Sequence, residues 1–509
     1  MIPLLSAEQL RQADAHTIAR EPISSLDLME RAAERCTVRL LKLLARDVPV
    51  VVMAGMGNNG GDGLAIARIM HGAAQPVQVL VPRYKTQGSP DFEANLQRAR
   101  DAGVSVVWLE DGSDLTSFMP GTVVVDALFG TGLQRPLAGW IKQLVHSLNA
   151  RRCNVVSIDL PSGLFADDNT GNDPEAIVRA VRTLTLELPK HALLLADNHR
   201  FTGDWEVVDI GLDKAFIASF PSKAAVLEEA DAVDRLPGRA RVAHKGDHGH
   251  AWLLAGGPGK MGAALLAAKA CLRSGCGLLT LRIPAGQEAV VHGHIPEAMV
   301  SSDPAGHLEN MPRFGRVDAI GIGPGMGTDE GSGRLLKLLI QEAPAPLVVD
   351  ADALNLLAAN KTWLAFLPPG TILTPHPKEL ERLAGKAGSD QERLAQAVEL
   401  ARRHQVVVIL KGAYTAICTP DGHTFFNTTG NPGMAKGGSG DALTGILTGL
   451  RAQGLGALDA AILGVYTHGL AGNIAAAELG MDGMLPGDLI AALPKAWCQL
   501  REKQEQRGS

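Results

Sequence analysis

Cysteine is scarce in this chain, and what there is lacks pattern. Six residues (Cys36, Cys153, Cys271, Cys276, Cys418 and Cys498) are scattered through 509 positions with no CxxC spacing. That argues against a disulfide framework or a zinc site and points to a reducing cytoplasm. The pair Cys271 and Cys276 reads as buried packing. Basic runs are missing as well: the formal net charge is -6, which gives no broad attraction to phosphate backbones or anionic lipid, so neither nucleic acid nor membrane is expected among the partners. No apolar stretch of about eighteen residues reads as a membrane span. The opening MIPLLSAEQLRQADAHTIAREP turns charged and helical too soon to be a secretory signal.

Glycine is abundant, at 57 residues, while aromatics make up only 4%. This is the profile of an α/β protein rich in tight turns and small-residue packing, and its length favours two or more domains. LSAEQLRQADAHTIAR and SSLDLMERAAERCTVRLLKLLA carry helical periodicity, with Ser6 and Ser24 or Ser25 as N-caps. Apolar β-branched runs at 49–55, 77–82, 104–110, 122–130 and 154–161 alternate with helical segments, the pattern of a doubly wound parallel sheet. A second series follows at 250–257, 278–284, 317–324, 345–352, 371–377 and 406–412, predicting a second, larger α/β sheet. The expected organisation is a first α/β/α domain over 1–215, a short mixed linker over 216–240 and a second α/β/α domain over 225–505.

Ligands of parallel sheets gather at the carboxyl ends of strands. VVVMAGMGNNGGDGLAIARIM sends a strand through a glycine turn into a helix, offering N–H groups and a positive dipole to an anion. It matches neither the Rossmann fingerprint nor a Walker A loop. Taken alone, this Asn-Gly-Gly-Asp-Gly run is equally ordinary turn chemistry. Asp126 and Asp159, each closing an apolar strand, and Ser162 change that balance, because a strand end is a costly place for an unpaired carboxylate. Oxygen ligands of this kind suit a hard cation. In the second half, NPGMAKGGSGDALTG (431–445) places Asp441 where a glycine loop becomes a helix. The loop reads as an anion hole for a phosphoryl group, with Asp441 as the base of an attacking hydroxyl. The same carboxylate also fits a helix cap, and the loop alone leaves the two nearly equal. GPGMG (323–327), DADALN (350–355), TPHPKE (374–379) and LKGAYT (410–415) each put small or polar groups at a strand end, which favours chemistry.

GNNGGDG (57–63), DALFGTGL (126–133) and DLPSGL (159–164) resemble the N-terminal domain of the YjeF family, the NAD(P)H-hydrate epimerases, which is Rossmann-like. The resemblance implies that Asn58, Asn59, Gly60, Gly61 and Asp62, with Gly130, Thr131, Gly132, Leu133, Gln134, Arg135 and Pro136, bind the hydrated nucleotide. It further implies that Asn59, Asp126 and Ser162 hold K+ and that catalytic Asp159 lies at the reacting ring. HKGDHG (244–249) and AGGPGKMGAALLAA (255–268), with the strand-end motifs above, resemble the ADP- or ATP-dependent NAD(P)H-hydrate dehydratases of the ribokinase-like superfamily. That likeness places the hydrate at Ala263, Gly325, His376 and catalytic Asp441, and the adenine nucleotide at Lys411, Gly412, Ala413, Tyr414, Thr415 and Gly440. Two positions depart from the pattern: Lys378 stands where glycine is expected, and His191 where proline is. The chain is thus expected to be a cytoplasmic homo-oligomer that epimerises R and S hydrates of NADH and NADPH and dehydrates the S form with ADP and Mg2+. The competing expectation is a small-molecule kinase with a non-catalytic N-terminal interaction domain.

Overall fold

The computed structural model describes residues 1–113, 121–151 and 153–508. The chain divides into two compact units, one of Pro3–Ser222 and one of Met1–Ile2 with Lys223–Ser509.

Among the described residues the first unit holds a seven-stranded sheet. From edge to edge the strands are Ser105–Leu109, Val77–Pro82, Val50–Ala54, Val123–Ala127, Asn154–Ile158, Arg182–Leu186 and Asp204–Val208, all parallel. Val50–Ala54 is fully buried, as its unbroken apolar run predicts for a strand covered on both faces. The chain leaves that strand in one direction and returns to its other side at Val123–Ala127. This reversal of strand order makes the carboxyl ends of these two strands a switch point, the place where parallel sheets hold ligands. On one face, Ile141, Leu144, Val145 and Leu148 of helix Gly139–Ala150 pack on Met53, Val124 and Val155. Two strands, Arg182–Leu186 and Asp204–Val208, escaped the sequence reading because polar residues interrupt their apolar pattern. Ser24 caps helix Ser25–Leu43 in a capping box, and Ser6 does the same for Ala7–Arg20.

In the second unit eleven strands join among the described residues. The order is Ile2–Pro3, Ala224–Val226, Thr424–Phe426, Ala416–Cys418, Val407–Leu410, Ile372–Leu373, Leu347–Val349, Ala319–Ile322, His250–Leu254, Leu278–Pro284 and Met299–Asp303. The segment 216–240 is therefore no simple linker. Ala224–Val226 is paired in the sheet, helix Glu229–Val233 follows, and the Met1 ammonium lies 3.0 Å from both Glu228 and Asp231. The strand Ala416–Cys418 runs antiparallel to both its neighbours, the rest of the central sheet being parallel. The order in which strands are added, not their direction, reverses at the first strand of the series, His250–Leu254, which is parallel to both Leu278–Pro284 and Ala319–Ile322.

Helix Ser439–Ala452 packs closely on helix Met261–Arg273. A Cβ on Gly445 would lie 2.0 Å from the Ala267 carbonyl oxygen, so this glycine serves helix packing and not anion binding. Helix Ala457–Leu479 is long and apolar enough to cross a membrane, against the sequence expectation, yet 67% of its apolar window is buried inside the protein. Its residues Ile462, Leu463 and Val465 belong to the core beneath the sheet. Cys271 and Cys276 sit in the adjoining core with their sulfurs 3.6 Å apart.

Candidate functional sites at two switch points

In the first unit, helix Asn58–Gly72 begins at once after its strand because Gly60 permits it. A Cβ there would lie 1.6 Å from the Gly55 carbonyl oxygen. At the neighbouring strand end Asp126 is wholly buried and takes hydrogen bonds from Ser157 Oγ (2.8 Å), Ser162 N (2.8 Å), Ser162 Oγ (2.5 Å) and Leu128 N (3.3 Å). Burial raises its carboxyl above the ordinary range, and these donors pull it back.

Asp159, one strand further, adopts the left-handed backbone with φ 67°, a conformation uncommon outside glycine. This turns its carboxylate toward Thr131 N, at 3.2 Å, and into a 2.6 Å ion pair with Lys190. Lys190 is itself almost fully buried, and its ammonium also donates to Thr185 Oγ1 (2.9 Å) and Leu186 O (2.7 Å). A Cβ on Gly130 would meet Asp159 Oδ2 at 3.0 Å and the Asn59 amide carbon at 3.3 Å, so Asn59, Gly130, Thr131 and Asp159 form one cluster. Around it lie two further acids. Burial and the Asp159 charge push Asp14 up to about 6 and hold Asp62 well above the usual carboxylate range. Asp126 and Ser162 are joined to each other, while Asn59 hydrogen-bonds instead to Ile158 O at 3.4 Å. Asn58 is exposed, as are Gln134, Arg135 and Pro136, which run over the surface beside the cluster.

In the second unit the Asp441 carboxylate does not cap its helix. Helix Ser439–Ala452 has Gly438 at its N-cap, φ 107°, with no side-chain capping bond. Burial, then the charge of Asp350, raises Asp441 to about 6. Behind it a buried network runs across four elements. Lys411, following Val407–Leu410, pairs with Asp350 at 2.8 Å and with Glu379 at 3.8 Å. Thr444 Oγ1 donates to the other Asp350 oxygen at 2.6 Å. A Cβ on Gly440 would stand 3.3 Å from the Lys411 ammonium, which brings Gly440, Asp441 and Lys411 together. Gly325 approaches Ala263, whose Cβ would be 3.2 Å from its own, and Asp352 links that side by accepting from Lys260 (3.2 Å) and Gly327 N (3.0 Å).

His376 caps helix Pro377–Ala384: its Nδ1 accepts from Lys378 N (3.1 Å) and Glu379 N (3.4 Å), which leaves the proton on Nε2. Its ring is thereby oriented, and burial and Lys411 lower its basicity. Lys378 is exposed, in keeping with a solvated lysine. In the turn after Lys411, Gly412 and Ala413 are exposed, and Thr415 Oγ1 donates to Gly412 O at 3.1 Å. Tyr414 is half-buried in the same turn.

Sequence reasoning passed over Lys190, Asp14, Glu379 and Thr444, and quoted Asp350 without a role. A lysine inside the apolar run TLELPKHALLLA was the available signal for Lys190, since a lysine is buried only when paired.

Residues 25–192 match the family described as YjeF-related protein N-terminus, and residues 251–495 match the family described as NAD(P)H-hydrate dehydratase. The bifunctional NAD(P)H-hydrate repair enzyme Nnr of Moorella thermoacetica is 36% identical over 99% of this chain and 98% of its own length. Its namesake from Thermofilum pendens is also 36% identical, over 98% of this chain and 96% of its own. A crystal structure of the ADP/ATP-dependent NAD(P)H-hydrate dehydratase of Bacillus subtilis, co-crystallised with ATP/Mg2+, is 33% identical over 54% of this chain and 97% of that one, with a TM-score of 0.46. With relatives aligned along nearly its whole length, through both units, the chain belongs to the family of bifunctional NAD(P)H-hydrate repair enzymes.

Proposed function

We propose that the first unit epimerises the R and S hydrates of NADH and NADPH, and that the second dehydrates the S form at the expense of ADP, giving AMP and phosphate. Full-length likeness to bifunctional relatives disfavours a kinase joined to an inert interaction domain.

In the first unit Asp159 moves a proton at the reacting ring. Its fixed turn and its pairing with Lys190 give that carboxylate one direction and a nearby donor. The helix start at 58–62 and the 130–136 segment take the phosphates and the ring. K+ belongs at Asn59, Asp126 and Ser162, an all-oxygen donor set; a buried carboxylate raised by desolvation is what a hard cation relieves. Bound there, it would supply fixed positive charge beside the phosphate loop.

In the second unit the hydrate lies against Ala263, Gly325 and His376, and ADP against Lys411, Gly412, Ala413, Tyr414, Thr415 and Gly440. Asp441 takes the proton of the hydrate's hydroxyl as that oxygen attacks the β-phosphorus of ADP and the bond to AMP breaks. The new phosphate ester leaves with the C–O electron pair while the adjacent ring carbon loses a proton, which restores the dihydropyridine. Among the described residues no group of three or more His, Cys, Asp or Glu is arranged to hold a metal. Mg2+ would be carried on the nucleotide's phosphates and would neutralise their charge during the transfer. The protein acts in the cytoplasm as a homo-oligomer with small-molecule partners only.

The observation that carries this reading is the uncapped, half-buried Asp441, raised to about 6 beside Lys411 at a glycine-loop helix start. The test is to incubate the protein with mixed R and S NADH hydrate and ADP and follow the absorbance of restored dihydropyridine. Complete conversion of the mixture is expected. Conversion of the S half alone would remove the epimerase, and accumulation of a phosphorylated product with no dihydropyridine would favour a kinase.

A further inference from the structure

Asp350 ends strand Leu347–Val349 and is 1% exposed. Its backbone is held on both sides: Asp350 N donates to Ile322 O at 3.1 Å, and a Cβ on Gly323 would lie 1.8 Å from Asp350 O. The next residue, Ala351, adopts the left-handed backbone with φ 49°, a strained conformation for alanine, so the chain turns sharply at this strand end. Both carboxylate oxygens are then spent inside the protein, one on Lys411 Nζ and one on Thr444 Oγ1. Lys411 sits 61 residues further along the chain and Thr444 sits 94. They belong to different parts of the proposed site: Lys411 opens the nucleotide turn, and Thr444 lies one helical turn beyond Gly440 and Asp441.

We propose that Asp350 is the positioning residue of the dehydratase site, its single carboxylate locking the 411–415 turn in register with the helix start that carries Gly440 and Asp441. This rests on the dehydratase reading given above. Asp350 touches neither substrate; it acts through Lys411 and Thr444. With one N–H of Lys411 fixed on Asp350, the ammonium is held beside Gly440, whose Cβ would stand 3.3 Å from it, and keeps its remaining protons for the incoming phosphates. Asp350 also supplies negative charge beside Asp441. The other charged groups acting on Asp441 are Lys411, which also pairs with Glu379 from helix Pro377–Ala384, and Asp352 from helix Ala351–Ala359 with its partner Lys260. His468, from helix Ala457–Leu479, is on Ser439 O and is held neutral by burial, at about 4.

The test compares Asp350→Asn and Asp350→Glu in the full-length protein, measuring the KM for ADP and the pH profile of dehydration of the S hydrate. Asp350→Asn keeps the size and removes the charge. KM for ADP should rise roughly 10- to 100-fold, the factor of one charge-assisted hydrogen bond. The acid limb should also move to lower pH, because Asp441 loses a like charge while Lys411 loses a partner; both changes favour ionised Asp441. Asp350→Glu keeps the charge and displaces it by one methylene, so KM should rise while the acid limb stays in place. Epimerase activity of the same preparations should be unchanged, which reports the folding of the other unit. If Asp350→Asn fails to fold, a wild-type KM in Asp350→Glu overturns the proposal by itself. Wild-type KM and acid limb in Asp350→Asn overturn it, and so does equal behaviour of the two variants in both readouts, which would mark mere packing. The two failures stay separate: an active wild type with unaffected variants sinks the proposal alone, whereas a wild type inactive on S hydrate with ADP sinks the dehydratase reading beneath it.

Discussion

The two units solve opposite electrostatic problems with similar parts. Each sets an acid, a lysine and a left-handed residue at the carboxyl end of parallel strands next to a switch point. In the first unit the buried ammonium of Lys190 goes directly to Asp159, the proposed reacting carboxylate. In the second the ammonium of Lys411 goes to Asp350, and Asp441 stands beside them with no hydrogen bond or ion pair among the described residues, raised to about 6. An ion pair on the acid fixes its direction. An ion pair on its neighbour leaves the acid basic enough to take a hydroxyl proton, since a general base works best with a pKa near the working pH.

The sharpest way to break this contrast is Asp441→Asn. Because the residue caps nothing, the helix should form as before, while dehydration of the S hydrate falls about 10²–10⁴-fold, the range of a lost general base. ADP affinity should stay within a few-fold, and epimerisation should be untouched. A variant retaining near-normal dehydration would leave Asp441 without its proposed role.

Asp126→Ala comes next. It empties the oxygen set of the first unit and strands the hydroxyls of Ser157 and Ser162, so epimerase activity should drop at least about 100-fold, while ADP-dependent dehydration of pure S hydrate persists. Parallel loss of both activities, measured on one preparation, would contradict separate sites.

Lys190→Met addresses the ion pair itself. It leaves Asp159 buried without a counter-charge, and removing one partner of a buried pair costs about 3–5 kcal/mol, so the first unit should unfold at visibly lower temperature or denaturant concentration. The unfolding of the second unit should not move. Unchanged stability would show that the pair is not buried in solution.

Acid pH offers a gentler probe. Asp441 must be ionised to accept a proton, so dehydration should be full well above pH 6 and should fall tenfold per unit below it. An acid limb near pH 4, the ordinary carboxylate range, would mean that burial does not raise this group. The smallest effect belongs to Lys378→Ala, which should leave the KM for ADP within about twofold, because the side chain is exposed at a helix start.

These contrasts were only half legible in the sequence. The acids announce themselves, because Asp126 and Asp159 close apolar runs and Asp441 follows a glycine loop, each of which a single window displays. Their partners do not. Lys190 lies 31 residues from Asp159 and Lys411 lies 61 from Asp350, and spacing within one sequence carries no trace of pairing across a sheet. The cap role of His376 was readable in principle from His-Pro-x-Glu, where the acid three residues on completes a capping box, but histidine is rare enough at that position to be taken for a ligand contact. The stretch 216–240 looked like a linker because Ala224–Val226 is too short to show a period of two, and it became a strand only through its neighbours in the sheet.

One of those neighbours is Ile2–Pro3, whose adjoining ammonium satisfies Glu228 and Asp231. The second unit is therefore discontinuous along the polypeptide, and a protease cut between Ser222 and Lys223 would not yield it whole. The fragment from 223 onward would carry Ala224–Val226 as a bare sheet border, with two carboxylates short of their cation, and bare borders invite self-association. The nicked molecule would instead be held as a complex of two polypeptides, one lending the other its outermost strand, so that dissecting the two activities by simple truncation would handicap the C-terminal half.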